Sequence, residues 1–213
     1  MTGPQAPAVA LAHPIAPEDK ARADFYALLS RLYAAAPDPA LLRALAGAGA
    51  LPVAVDRGPA FDLATSWGVL AEASGAMDAG AASEEYQDLF IGVGKSEVSL
   101  HASAYLPSTG RSELATVRET LADLGLGRKS GVNVYEDHLS AVCETMRVLI
   151  GGAAGVEPFA LSDQRRFFET HLGSWVFACC TAIKACPIAN YYRRVAEFTE
   201  FFMAIERDSF AIE

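Results

Sequence analysis

The sequence predicts an all-α fold, a single-domain bundle of about eight helices. Three observations carry this expectation. Apolar residues recur at three- and four-residue spacing through most of the chain, as one buried helix face requires. Alanine and leucine dominate, and alternating Val/Ile/Thr segments of the kind that build strands are hard to find. Of 213 residues, 52% are apolar and 20% charged, enough to bury a sizeable core and too apolar for global disorder.

The elements follow in order. Residues 1–16 hold Pro4, Pro7 and Pro14 among alanines and read as a disordered tail, leaving 17–213 as the folded domain. Pro17-Glu18-Asp19 opens the first helix, a proline in the first turn with acids at the positive helix end. Its stripe is Phe25, Leu28, Leu29, Leu32 and Tyr33. Pro37-Asp38-Pro39 breaks it, a short helix follows at about 39–47, and 47–59 is a loop. Phe61, Leu63, Trp67 and Leu70 mark a helix ending near Gly75–Gly80, and Tyr86, Leu89 and Phe90 a compact one at about 83–91.

Gly92, Gly94, Pro107 and Gly110 make 92–110 a long ordered loop, which in a compact domain is uncommon and often functional. Ser112 caps a helix that runs to Gly125. Leu139, Val142, Cys143, Met146, Leu149 and Ile150 form a buried face closed by Gly151-Gly152. Ser162 opens a long helix with Phe168, Leu172, Trp175, Cys179 and Ile183 on one side, ended or kinked at Pro187. The last helix turns Tyr191, Val195, Phe198, Phe202 and Ile205 inward.

Charge and motif searches exclude several functions. The net charge is -9, and the basic pairs Arg128-Lys129, Arg165-Arg166 and Arg193-Arg194 are scattered among acids, so a nucleic-acid backbone is a poor partner. No uncharged apolar run reaches the roughly 20 residues that span a bilayer, and the N-terminus has no signal-peptide pattern. A cytoplasmic location without stable membrane insertion is the expectation. Cys143, Cys179, Cys180 and Cys186 lack metal-site spacing and read as reduced, mostly buried thiols. There is no phosphate loop, dinucleotide fingerprint, nucleophile elbow, HExxH helix or paired ExxH motif, so the sequence implies no resident cofactor, no metal site and no catalytic residues.

Three features remain as candidate sites. Glu136-Asp137-His138 precedes the stripe that begins at Leu139, and it reads either as an acidic helix N-terminus or as a pair facing a ligand. Between Gly58 and Gly94 lie six acids, among them Glu85 and Asp88, and no Lys or Arg. They form either a solvated face or a lure for arginine, which carboxylates grip with two hydrogen bonds. Tyr86 and Phe90 within the same stretch are core aromatics or part of a groove. His171 and Trp175, one turn apart, read as packed structural residues, and the loop residue His101 has no partner legible in the sequence.

In order, Glu85-Tyr86-x-x-Leu89-Phe90-x-Gly92, Ser103-x-Tyr105-Leu106, Asn133-x-x-Glu136-Asp137-His138-Leu139 and Gln164-x-x-Phe167-x-x-x-His171-Leu172-x-x-Trp175 resemble the TorD family of redox-enzyme maturation chaperones over about residues 20–205. The resemblance implies an all-α chaperone, not an enzyme. Its partner would be the twin-arginine leader or apo form of a molybdopterin-containing oxidoreductase subunit. It would assist cofactor insertion and delay export, working as a monomer or domain-swapped homodimer. The family's Asp-His pair, implicated in leader binding, falls on Asp137 and His138; Val134 and Tyr135 stand where the family has Glu-Pro. Glu136, Glu85, Asp88, Tyr86, Phe90 and Tyr105 are the further peptide-binding candidates. Direct delivery of the molybdenum cofactor, and a small helical hydrolase built on Asp137 and His138, are the alternative functions.

Overall fold

The computed structural model describes residues 15–52, 59–92, 94–107, 110, 112–128, 131 and 134–212. Most of the expected tail, part of the 47–59 loop, Val93 and Asn133 lie outside the described residues. Among those described are nine α helices and no strand.

Helix α1 (Pro17–Ala34) starts as its sequence dictates, with proline in the first turn and Glu18 and Asp19 beside it. Asp38 caps α2 (Pro39–Ala46) by accepting the Leu41 amide at 2.7 Å. Helix α3 (Pro59–Ala76) leads to α4 (Ala79–Tyr86), which begins earlier than the apolar spacing indicates. The reason is Asp78, whose carboxylate accepts the amides of Gly80 and Ala81 at 2.8 and 3.1 Å and so nucleates the helix ahead of its first large apolar residue. The chain then widens into a π turn over Gln87–Ile91 and reverses at Gly92, at φ +64°. A Cβ there would sit 2.2 Å from the Lys95 carbonyl oxygen, so only glycine fits.

Beyond the loop come α5 (Glu113–Asp123) and α6 (Leu139–Gly151). Ser112 occupies the N-cap position of α5 but its side chain makes no capping bond. The single long helix expected from Ser162 is instead two, α7 (Leu161–His171) and α8 (Val176–Ala185). At the break the Gly173 amide reaches back five residues to the Phe168 carbonyl at 2.7 Å. The Trp175 indole N–H donates to the His171 carbonyl, also at 2.7 Å, satisfying an acceptor that the interrupted helix leaves open. A Cβ on Gly173 would meet the Phe168 ring at 2.8 Å, which explains why the smallest residue stands at the bend. Helix α9 (Tyr191–Ile212) closes the fold.

Helix α1 lies along α6, α3 along α9, α8 against α9, and α2 on α3. Between them Tyr26, Tyr33, Phe167, Phe168, Trp175, Tyr191, Tyr192 and Phe198 are fully buried. Each large side chain so removed from water contributes about 1.5–3 kcal/mol before chain entropy is counted against it. The phenols keep their hydrogen bonds: Tyr33 pairs with Thr199 at 2.9 Å, and Tyr192 donates to the Leu32 carbonyl at 3.0 Å. The candidate site lies at the N-terminal end of α6, which packs against α1 and α7.

Candidate functional site

The loop after Gly92 is held from beneath. Val98, Leu100 and Ala102 are buried, an every-second-residue pattern that turns His101 outward. The Tyr105 hydroxyl donates to the Ser99 carbonyl at 2.7 Å, and its ring stacks on Trp175 with centroids 5.8 Å apart. Burial, with Cys179 alongside, pushes the Tyr105 hydroxyl well above its usual pKa. Tyr105 therefore fastens the loop to the α7–α8 bend.

Two backbone hydrogen bonds then join the loop to the start of α6. The Ala102 amide donates to the Asp137 carbonyl at 3.1 Å, and the Leu139 amide to the Leu100 carbonyl at 2.8 Å. His101 and His138 face each other across this antiparallel bridge. His101 Nδ1 lies 3.0 Å from Asp137 Oδ1, and the two imidazoles meet edge to face at 4.9 Å. The sequence singled out Asp137 and His138 but offered no partner for His101. The fold supplies one 36 residues away.

Each member of the Glu136-Asp137-His138 triplet has a distinct duty. Glu136 forms an ion pair with Arg118 on α5 at 3.0 Å. Desolvation opposes its charge, yet that guanidinium, a backbone amide and Arg128 hold its carboxyl below the ordinary range. Asp137 is buried, its side chain 7% exposed, against 36% for His101. His138 is the N-cap of α6: its Nδ1 accepts the Ser140 amide at 3.2 Å and lies 2.9 Å from the Ser140 hydroxyl. Burial, and then the nearby His101, push its pKa down to about 4 against the pull of Asp137. An imidazole that accepts at Nδ1 and stays uncharged carries its proton on Nε2.

The remaining candidates are dispersed. Glu85 accepts the backbone amides of Asn190, Tyr191 and Tyr192 at 2.8–2.9 Å, capping α9 from a different helix. Tyr86 and Phe90 pack with Tyr33 and Tyr192 in the core, and the Tyr86 hydroxyl donates to the Tyr33 carbonyl at 3.2 Å. Asp88 is exposed. His171 is buried and its Nε2 lies 2.8 Å from Thr120 Oγ1; burial lowers its pKa to about 4. Two clefts, of about 490 Å³ between α5 and α7 and about 260 Å³ around α2 and the α3–α4 turn, are lined by none of the eight candidates. Among the described residues no three His, Cys, Asp or Glu side chains are placed to hold a metal, and no helix is long and apolar enough to cross a membrane.

The described residues form an all-helical domain in which the candidate polar side chains cap helices, brace the loop and pair with one another. The chain belongs to the nitrate reductase delta subunit family, whose model matches residues 58–181, more than half of its length. This is a family of molybdoenzyme maturation chaperones, and its members are not catalysts, so the hydrolase alternative falls. No curated relative matches the chain.

Proposed function

We propose that this chaperone binds the twin-arginine leader of a molybdopterin-containing oxidoreductase subunit in the cytoplasm, assisting cofactor insertion and delaying export. The observation that carries the reading is the junction of His101, Asp137 and His138. A long loop and a helix start, distant in sequence, bring a carboxylate and two imidazoles together at a half-exposed edge. A leader has a cationic start, which needs such a carboxylate, and an extended peptide that orders on binding gives up about 2–5 kcal/mol of its contact energy. Moderate, reversible affinity suits a carrier that must release its cargo.

Calorimetric titration of a synthetic twin-arginine leader into the full chain tests the proposal. Binding is expected, with at least a tenfold loss when Asp137→Ala and His138→Ala are combined and helix content by circular dichroism is unchanged. Rising salt should weaken binding, since exposed charge pairs are screened. Undiminished binding by the double variant would remove these residues from the site.

A further inference from the structure

We propose that α5 is a strap that opens locally, and that the cleft between it and α7 receives the cationic start of the leader. This rests on the leader-binding reading above, and deepens it by naming where that stretch of peptide lies.

The strap is thinly seated. Of its eleven residues only Val117 and Leu121 are buried, against seven of thirteen in α6. Its main packing is on the short turn Ala102–Ala104. Two polar contacts add to this: Arg118 reaches Glu136 at 3.0 Å, and Thr120 Oγ1 lies 2.8 Å from His171 Nε2. A segment with so few buried apolar side chains opens at a free energy below that of global unfolding.

Both polar contacts are incomplete on the side that α5 touches. Among the described residues two buried side-chain atoms lack a hydrogen bond, Glu136 Oε2 and His171 Nδ1. Arg118 comes close to the first without aligning an N–H on it. The second belongs to the ring that meets Thr120. The Thr120 hydroxyl donates to the Thr116 carbonyl at 3.2 Å, so its oxygen accepts from His171 Nε2, and Nδ1 is left over. Buried polar atoms without partners are rare, and both of these sit on the residues to which α5 is tied. The helix therefore rests in a seat that grips it only in part.

The walls of the cleft select what enters. Its volume is about 490 Å³, and it is lined by Thr120 and Asp123 from α5 and by Arg166, Thr170 and His171 from α7. No large apolar side chain lines it, so it matches the polar, cationic start of a leader and not the oily middle. Asp123 is the last residue of α5, where the negative end of the helix adds to its charge, and among the described residues it has no ion-pair or hydrogen-bond partner. Arg166 is held by Asp163 at 2.8 Å, so these three charges leave one negative charge for an incoming cation. The same strap meets both halves of the junction, the turn that follows His101 and the Glu136 that precedes Asp137. One helix thus borders the cleft and the junction together.

The test is the dissociation constant of a synthetic twin-arginine leader for the full chain, measured beside amide hydrogen exchange. In the free chain the α5 amides should exchange about a hundredfold faster than those of α6, and bound leader should slow them about tenfold. Asp123→Asn should weaken the leader about two- to fivefold, the value of an exposed ion pair, and high salt should erase that difference. Thr170→Trp, a change at an exposed position that fills the cleft, should cost about tenfold in affinity with helix content unchanged. Parent-like binding by Thr170→Trp, or α5 exchange as slow as that of α6, would overturn the proposal. If Thr170→Trp fails to fold, Asp123→Asn and the exchange of the parent chain decide it. Absence of leader binding by the parent chain is a separate result, which overturns the leader reading and the occupant named here with it.

Discussion

Glu206 on α9 and Arg22 on α1 hold each other through two parallel hydrogen bonds of 2.7 and 2.9 Å, and Glu206 is 2% exposed. Tyr26 donates to the same carboxylate at 3.1 Å, and Asp19 and Gln164 complete the guanidinium's shell at 2.9 and 3.3 Å. Although burial opposes its charge, Glu206 and Asp19 raise the Arg22 pKa above its ordinary value. Truncating Glu206→Ala takes the two-pronged carboxylate from Arg22, which keeps Asp19, and leaves the buried Tyr26 phenol without its acceptor, and is expected to destabilise the fold by about 3 kcal/mol. Glu206→Gln, which keeps the shape and one acceptor, should cost less. Urea unfolding midpoints measure both, and a cost below about 1 kcal/mol for Glu206→Ala would contradict this account.

Helix α9 depends on a residue from α4. Glu85→Ala removes the acceptor for the amides of Asn190, Tyr191 and Tyr192. Capping by a carboxylate combines hydrogen bonding with the helix dipole, so a loss of about 2 kcal/mol is expected. Hydrogen exchange at those three amides should accelerate more than elsewhere in α9. If exchange there is unchanged, the cap carries no weight.

Two neighbouring glycines should respond unequally to alanine. Gly92 has φ +64°, and a Cβ would fall 2.2 Å from a backbone oxygen, whereas Gly94, at φ +95°, has open space around it. Gly92→Ala is expected to cost about 3 kcal/mol or more, and Gly94→Ala about 1 kcal/mol, the intrinsic penalty of the left-handed region. Equal thermal shifts in the two variants would refute the steric argument.

Acid should weaken the fold through two histidines. His138 and His171 each have a folded pKa of about 4, below the 6.5 of an unperturbed imidazole. Between those values the unfolded chain binds protons that the native state refuses, so stability is fully present above about pH 6.5 and drains away as pH falls towards 4. Each contributes roughly 1–2 kcal/mol to that fall, allowing for partial contact with solvent. His138→Asn keeps a good N-cap for α6 and removes one titration. Its unfolding free energy should therefore vary less steeply with pH over this window. An unaltered slope would show that His138 is not held uncharged.

Local chemistry was legible in the sequence wherever it is settled within a turn. Pro17 with two acids, Asp38 before Pro39, and the Leu139–Ile150 stripe announced α1, α2 and α6 within a residue or two. The bend at 172–175 was not, because Phe168, Leu172, Trp175 and Cys179 do line one buried side and the spacing passes smoothly over the break. Gly173, alone in an otherwise helical pattern, was the available sign. The Asp137-His138 pair stood out as a dipeptide. What joins it to His101 is a backbone bridge between segments far apart, which no periodicity encodes. Glu85 was visible as an acid, but its partners lie 105–107 residues further on.

The cysteines carry a consequence of their own. Cys143, Cys179 and Cys180 are sealed in the interior, and burial raises all three thiols above the ordinary range, Cys179 to about 12. Cys186 alone is half-buried. A thiol-reactive dye should tag Cys186 promptly and the other three only when the bundle opens, making their alkylation a built-in stopwatch for rare excursions of the whole chain. Any cargo that stiffens the chaperone would slow that stopwatch without touching a sulfur atom.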